Sequence, residues 1–150
     1  MASRQKKDSL INILNADCPQ VFMLQETKLN HKNQIRLEKY EIFEKVRKNK
    51  GGGGIMIGIN KDIEKEPVDV SPQDDEAKIL VVEIELKDLP IRFLTAYGPQ
   101  EEDNEDKINK FYNSLEEEII ACEERNCGLI IELDCNAKLG KNIIQGDPMI

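Results

Sequence analysis

Between residues 103 and 125 the apolar side chains Ile108, Phe111, Tyr112, Leu115, Ile119 and Cys122 recur at steps of three and four. That spacing predicts an amphipathic helix with one buried stripe. Before it stands AKILVVEIELKDLPIRFLTAYGP, whose β-branched content predicts two strands joined by a tight turn at Lys87 to Pro90. After it, Asn126 to Gly128 ends the helix, and CGLIIEL enters another strand. A strand hairpin, a one-sided helix and a further strand together require a sheet with a helix packed on it.

The rest of the chain extends the pattern. SRQKKDSLINILNADCP has Leu10, Ile13 and Leu14 at helical spacing with Ile11 beside them, closed by Asp17 and Pro19. VFMLQ, residues 21 to 25, reads as a short, fully buried strand, with Glu26 the first charge after it. A polar segment with helical character (Asn30 to Lys39) and a strand YEIFEKV follow. NKGGGGIMIGIN lacks the Gly-Lys-Ser/Thr ending of a phosphate loop and leads into a strand, so it reads as a turn feeding that strand. There Ile55, Ile57 and Ile59 form one apolar face. EPVDVSP, bracketed by Pro67 and Pro72, reads as a short edge strand. The sum is a mixed α/β (α+β) architecture in one domain, which 150 residues with 39% hydrophobic content can fill.

Composition narrows the function classes. No apolar run approaches the roughly 18 residues of a membrane span, and MASRQKKDSL is not of signal-peptide type, so an intracellular protein, nuclear or cytoplasmic, is expected. Cys18, Cys122, Cys127 and Cys135 lack C-x-x-C spacing, and His31 is far from them, which argues against a zinc site or a disulfide framework. A net charge of −8 counts against broad adhesion to nucleic acid. It leaves room for a phosphodiester substrate, because a magnesium site needs carboxylates and a local basic stretch such as KVRKNK (45 to 50) can meet phosphates.

Polar residues gather at three strand ends: Gln25-Glu26-Thr27, Tyr97-Gly98-Pro99, and Asp134 with Asn136. Strand alternation sends Asp134 and Asn136 to one face and Cys135 to the other. Singly, each has an ordinary explanation: a strand meeting water, a core aromatic, an Asx-type turn.

Together, VFMLQETKL, GGGGIMIGI, LTAYGPQ and LIIELDCNAKLG resemble, in order and spacing, the endonuclease/exonuclease/phosphatase superfamily, of DNase I-like fold. NAKLG after the Asp-x-Asn pair is most similar to endonuclease domains of non-LTR (LINE-type) retrotransposons, which precede a reverse transcriptase. The resemblance implies a layered two-sheet sandwich, with a mainly antiparallel or mixed sheet flanked by helices, that hydrolyses DNA phosphodiesters with Mg²⁺ or Mn²⁺. It implies Glu26 as the main metal ligand, Asp134 orienting or deprotonating the attacking water, and Asn136 and Tyr97 contacting the scissile phosphate. Gln25 would neighbour the metal group or be structural.

The sequence also departs from that pattern. Leu133 and Cys135 stand where the superfamily usually has glycine and an aromatic residue. A first strand bearing an asparagine, and the half ending in a catalytic Asp-His, have no counterpart in residues 1–150, and His31 is in the wrong place to serve. The expectation is therefore a partial domain with little or no nuclease activity alone, prone to self-association through uncovered sheet edges. Two alternatives stay open: a non-catalytic remnant serving as an interaction module, and the same fold acting on a phospholipid or inositol phosphate headgroup.

Overall fold

The computed structural model describes residues 2–28, 37–46, 53–73 and 78–135. The stretch containing His31, the basic residues 47–50 and Asn136 lie outside them. Along the chain run α1 (Ala2–Asp17), β1 (Val21–Gln25), β2 (Tyr40–Lys45), β3 (Ile55–Asn60), β4 (Val68–Asp69), β5 (Ile79–Leu86), β6 (Leu89–Tyr97), α2 (Glu105–Glu124) and β7 (Gly128–Asp134). No helix among the described residues is long and apolar enough to cross a membrane.

Lys87 and Asp88, with φ of 49° and 65°, form the two-residue turn between β5 and β6. Paired left-handed residues match the twist of the strands they join. Pro90 lies opposite Glu85, one residue before β7 begins to pair at Ile91, so its missing N–H interrupts no β7 bond. β6 and β7 are parallel because α2 carries the chain back across the sheet. The resulting sheet has the order β4-β5-β6-β7, and a second, antiparallel sheet has the order β1-β3-β2.

Strand alternation divides the core in two. Ile55, Ile57 and Ile59 of β3 pack between the sheets against Leu80, Val82, Ile84, Phe93 and Tyr97. On the other face of the larger sheet, Ile79, Val81, Leu94 and Ala96 receive Phe111 and Leu115 of α2. The architecture is thus the mixed α/β, two-sheet layering expected.

Three details of burial differ from the reading of the sequence. β1 is half-buried along its length, not fully buried, since among the described residues it pairs with β3 alone, at a sheet edge. Ile13 is 57% exposed; the inward stripe of α1 is Leu10, Ile11 and Leu14, and Ile13 lies about 100° round the helix from Leu14. Tyr112, 41% exposed, falls off the α2 stripe in the same way.

α2 is closed at both ends by its own sequence. The Asn104 side chain accepts from the Lys107 backbone N–H at 2.9 Å, and Glu105 and Asp106 complement the N-terminal dipole. At the other end Asn126 adopts φ 51°, its N–H reaching Glu123 O and that of Cys127 reaching Cys122 O, the paired bonds of a Schellman motif. Ion pairs tie the helix to the sheet: Arg92 bridges Glu83 and Glu118 at 2.8 and 3.0 Å, and Arg125 forks onto Glu83.

Candidate active site

The three polar strand ends come together at one end of the sandwich. At the first, the chain leaves β1 through Glu26, whose φ of 50° is a left-handed conformation uncommon for glutamate. Neighbouring backbone holds it there: Thr27 N–H donates to Gly54 O at 3.2 Å and Lys28 N–H to Gly53 O at 2.9 Å. Gly54 has φ 99°, and a Cβ there would stand 2.6 Å from Thr27 Oγ1. Glycine therefore lets the second loop lie flush against the Glu26 turn. Gly53 and Gly54, the described part of the glycine run, lead into β3 and also back the first strand end.

The second end is Tyr97, the last residue of β6. Its ring belongs to the core between the sheets and is 9% exposed, while its hydroxyl donates to Glu26 Oε1 at 3.3 Å. The carboxylate itself is exposed. The third end is Asp134, in register with Tyr97 across the β6–β7 ladder and also exposed. Gly98 N–H donates to Asp134 O at 2.7 Å, and a Cβ on Gly98 would lie 2.7 Å from that oxygen, so the loop after β6 fits over the end of β7 only with glycine there. The structure thus brings Glu26, Tyr97 and Asp134 to one end. Asn136, expected beside Asp134, lies outside the described residues.

Gln25 fastens this arrangement. Its Nε2 donates to Ala96 O at 3.0 Å and to Glu132 O at 3.3 Å, joining the edge of one sheet to two strands of the other. Of the two roles open to Gln25 in the sequence, these bonds establish the structural one. Glu132 was not singled out from the sequence. It lies two residues before Asp134, hence on the same face, and accepts from Thr95 Oγ1 at 3.0 Å. The signal for it was an acid inside the apolar run LIIEL.

Among the described residues no group of three or more His, Cys, Asp or Glu side chains converges to form a metal cage. A hollow of about 710 Å³, bordered by Cys18, Gln20, Lys39 and Asn60, opens at the opposite end of β3. The site is therefore defined by convergent polar groups on an open surface, not by a deep pocket.

No protein-family model and no curated protein sequence matches the chain. Solved structures do. TDP2 from Caenorhabditis elegans superposes with a TM-score of 0.63 at 13% identity, over 89% of this chain and 43% of that one. Danio rerio TDP2, solved with a single-strand DNA product, gives 0.67 at 18% identity over 97% of this chain and 59% of that one. The endonuclease domain of TRAS1, a telomere-specific non-LTR retrotransposon, gives 0.59 at 20% identity over 86% and 54%. The chain spans about half the length of the structures it matches. Two facing sheets, a parallel β6–α2–β7 unit and these superpositions together show that the chain has the DNase I-like fold.

Proposed function

We propose that these residues belong to an intracellular enzyme that hydrolyses DNA phosphodiesters with a divalent metal, Mg²⁺ or Mn²⁺, at the end of the sandwich bearing Glu26, Tyr97 and Asp134. The observation that carries the reading is the hydrogen bond from Tyr97 to Glu26, which joins a phenol from one sheet to a carboxylate from the other beside an exposed Asp134. The similar structures include one solved with a DNA product and one endonuclease domain.

The donor chemistry fits such an ion. Glu26 and Asp134 offer hard carboxylate oxygens on an open surface, and a magnesium ion that keeps several waters needs only one or two carboxylates. Glu26 would hold it, and when bound it would neutralise charge developing on the phosphate. Tyr97 places a hydroxyl next to that carboxylate, and would turn its O–H from Glu26 to a phosphate oxygen when substrate binds. Asp134 orients the attacking water and takes its proton, and Asn136 steadies the phosphate by hydrogen bonding.

Likeness to the TRAS1 domain, with the NAKLG phrase, supports a retroelement endonuclease as the parent protein. Since the matched structures are about twice as long, residues 1–150 by themselves have little nicking activity in this reading. Among the described residues β7 pairs with β6 alone, and Ile130 is 48% and Ile131 39% exposed, which supports self-association of the isolated chain along that edge. The decisive assay is Mg²⁺-dependent nicking of supercoiled plasmid by a protein carrying these residues with the rest of the fold. Glu26→Ala and Asp134→Ala should each lower the rate about 100-fold or more. Unchanged nicking by both variants would exclude the proposal.

A further inference from the structure

Cys122 and Cys127 are too far apart in the chain for a C-x-x-C redox motif. The closure of α2 brings them together. The Cys127 N–H that donates to Cys122 O at 2.9 Å is the outer bond of the Schellman motif, and the two positions it joins are those whose side chains pack on one another in such closures. By backbone bond lengths, that hydrogen bond sets the two Cα atoms about 5–6 Å apart, inside the range of about 4.4–6.8 Å that a disulfide spans. Both thiols are free.

The two sulfurs differ in access. Cys122 is 2% exposed, at the end of the buried α2 stripe, whereas Cys127 is half-buried and its thiol donates to Gly128 O at 3.3 Å. Burial pushes the Cys122 thiol up, the adjoining Cys127 thiol raises it further, and the Arg92 guanidinium opposes both. Cys122 therefore keeps its proton at neutral pH, and Cys127 is the sulfur that an oxidant in water meets first. An accessible thiol with a protected one in reach is the arrangement of a redox-sensing pair. The pair sits where α2 passes into β7, the strand whose far end carries Asp134. Cys135, beyond that far end, is roughly 26 Å of extended chain from Cys127 and cannot serve as its partner.

We propose that Cys122 and Cys127 form a reversible redox pair, closed by a hydroperoxide into a disulfide that fastens the C-terminus of α2 to the start of β7, and reopened by a dithiol. The Cys127 thiolate attacks one peroxide oxygen, the O–O bond breaks, and Cys127 becomes a sulfenic acid as an alcohol or water leaves. The Cys122 sulfur then attacks the Cys127 sulfur, the S–O bond breaks, and the hydroxyl leaves with the Cys122 proton as water. Two electrons and two protons from the dithiol reverse the change, and the dithiol becomes a disulfide. This switch lies outside the hydrolytic reading and does not depend on it.

The test uses the 150-residue chain as C18S/C135S, which leaves only the pair, treated with hydrogen peroxide, alkylated and digested with trypsin, which cuts between the two cysteines at Arg125. Peptides 111–125 and 126–138 should appear joined, two hydrogens lighter, in protein that runs as a monomer on a non-reducing gel, and should separate after dithiothreitol. The thermal midpoint should rise by about 4–8 °C on closure and return on reduction. In C18S/C122A/C135S the Cys127 sulfenic acid should persist and be labelled by dimedone, and in C18S/C127S/C135S the buried Cys122 should stay reduced. The joined peptides are read with both thiols intact, so a folding defect in either of these variants does not obscure the result. Cys127 carried to sulfinic acid with Cys122 still alkylated, a link between two chains instead of within one, or oxidation of Cys122 in the chain lacking Cys127 would each overturn the proposal. So would a pair that stays fully reduced under the peroxide treatment.

Discussion

The hydroxyl of Tyr97, on the last residue of β6, donates to a carboxylate oxygen of Glu26, on the residue after β1, at 3.3 Å. The bond spans the two sheets, so the position of each group is set by a different half of the sandwich. Its partners differ in their surroundings: the phenol ring is core and the carboxylate is exposed. A buried scaffold thereby holds a hydroxyl beside an accessible carboxylate.

Tyr97→Phe keeps the ring and removes only the donor. Stability should change by less than about 1 kcal/mol, since the lost bond ends on an exposed carboxylate that water can serve. Nicking by a protein carrying the whole fold should fall about 10- to 100-fold. A thermal melt and a nicking rate on the same preparation check both halves, and full activity in the variant would remove Tyr97 from the site.

Gly54→Ala should be costly although the residue is small and remote from any proposed chemistry. The backbone there is at φ 99°, and the added methyl would meet Thr27 Oγ1 at 2.6 Å. The expected loss is about 1–3 kcal/mol by urea denaturation, with the turn at Glu26 displaced as the loop gives way. An unaltered midpoint would mean that the two loops do not support one another.

Glu83 supplies a pH dependence. Burial favours its neutral acid, but hydrogen bonds from Arg125 and Arg92 outweigh that effect and hold the carboxyl below its ordinary 4.5. A lowered folded-state value means that the stabilisation is fully present above the unfolded-state value and is lost as pH falls through the folded one. Glu83→Gln should therefore cost about 2–3 kcal/mol at neutral pH, and the gap to the parent chain should close as the pH is taken below the carboxylate range. A gap that stays constant down to acid pH would show that the Arg92–Glu83–Arg125 group does not act as an ionic unit.

What the sequence disclosed and what it withheld follow from the range of the forces involved. α2 and the β5–β6 hairpin were legible because the three-and-four periodicity and the tight turn at Lys87 to Pro90 are local signals. The apolar run VFMLQ could not reveal that β1 lies at an edge, since side-chain character does not show how many neighbours a strand has. The bonds of Gln25 to Ala96 and Glu132, residues 71 and 107 positions away, depend on how two sheets stack, and no local pattern encodes them. The same holds for Gly53 and Gly54, whose task as backing for Glu26 appears only once β1 and β3 are paired. Glu26, Tyr97 and Asp134 stood out because each lies at the end of an apolar strand, and because the four ordered phrases around them together resemble one superfamily.

The central claim is that the groups at 26, 97 and 134 serve one ion beside one phosphate. It is tested most directly by adding substoichiometric Mn²⁺ to the isotope-labelled chain and following paramagnetic broadening by NMR. The account predicts that amide signals around Gln25 to Thr27, Tyr97 to Gly98 and Asp134 broaden together, and that Glu26→Ala abolishes the effect at all three. Broadening centred on the acidic surface of α2, or unchanged in the Glu26→Ala chain, would contradict it.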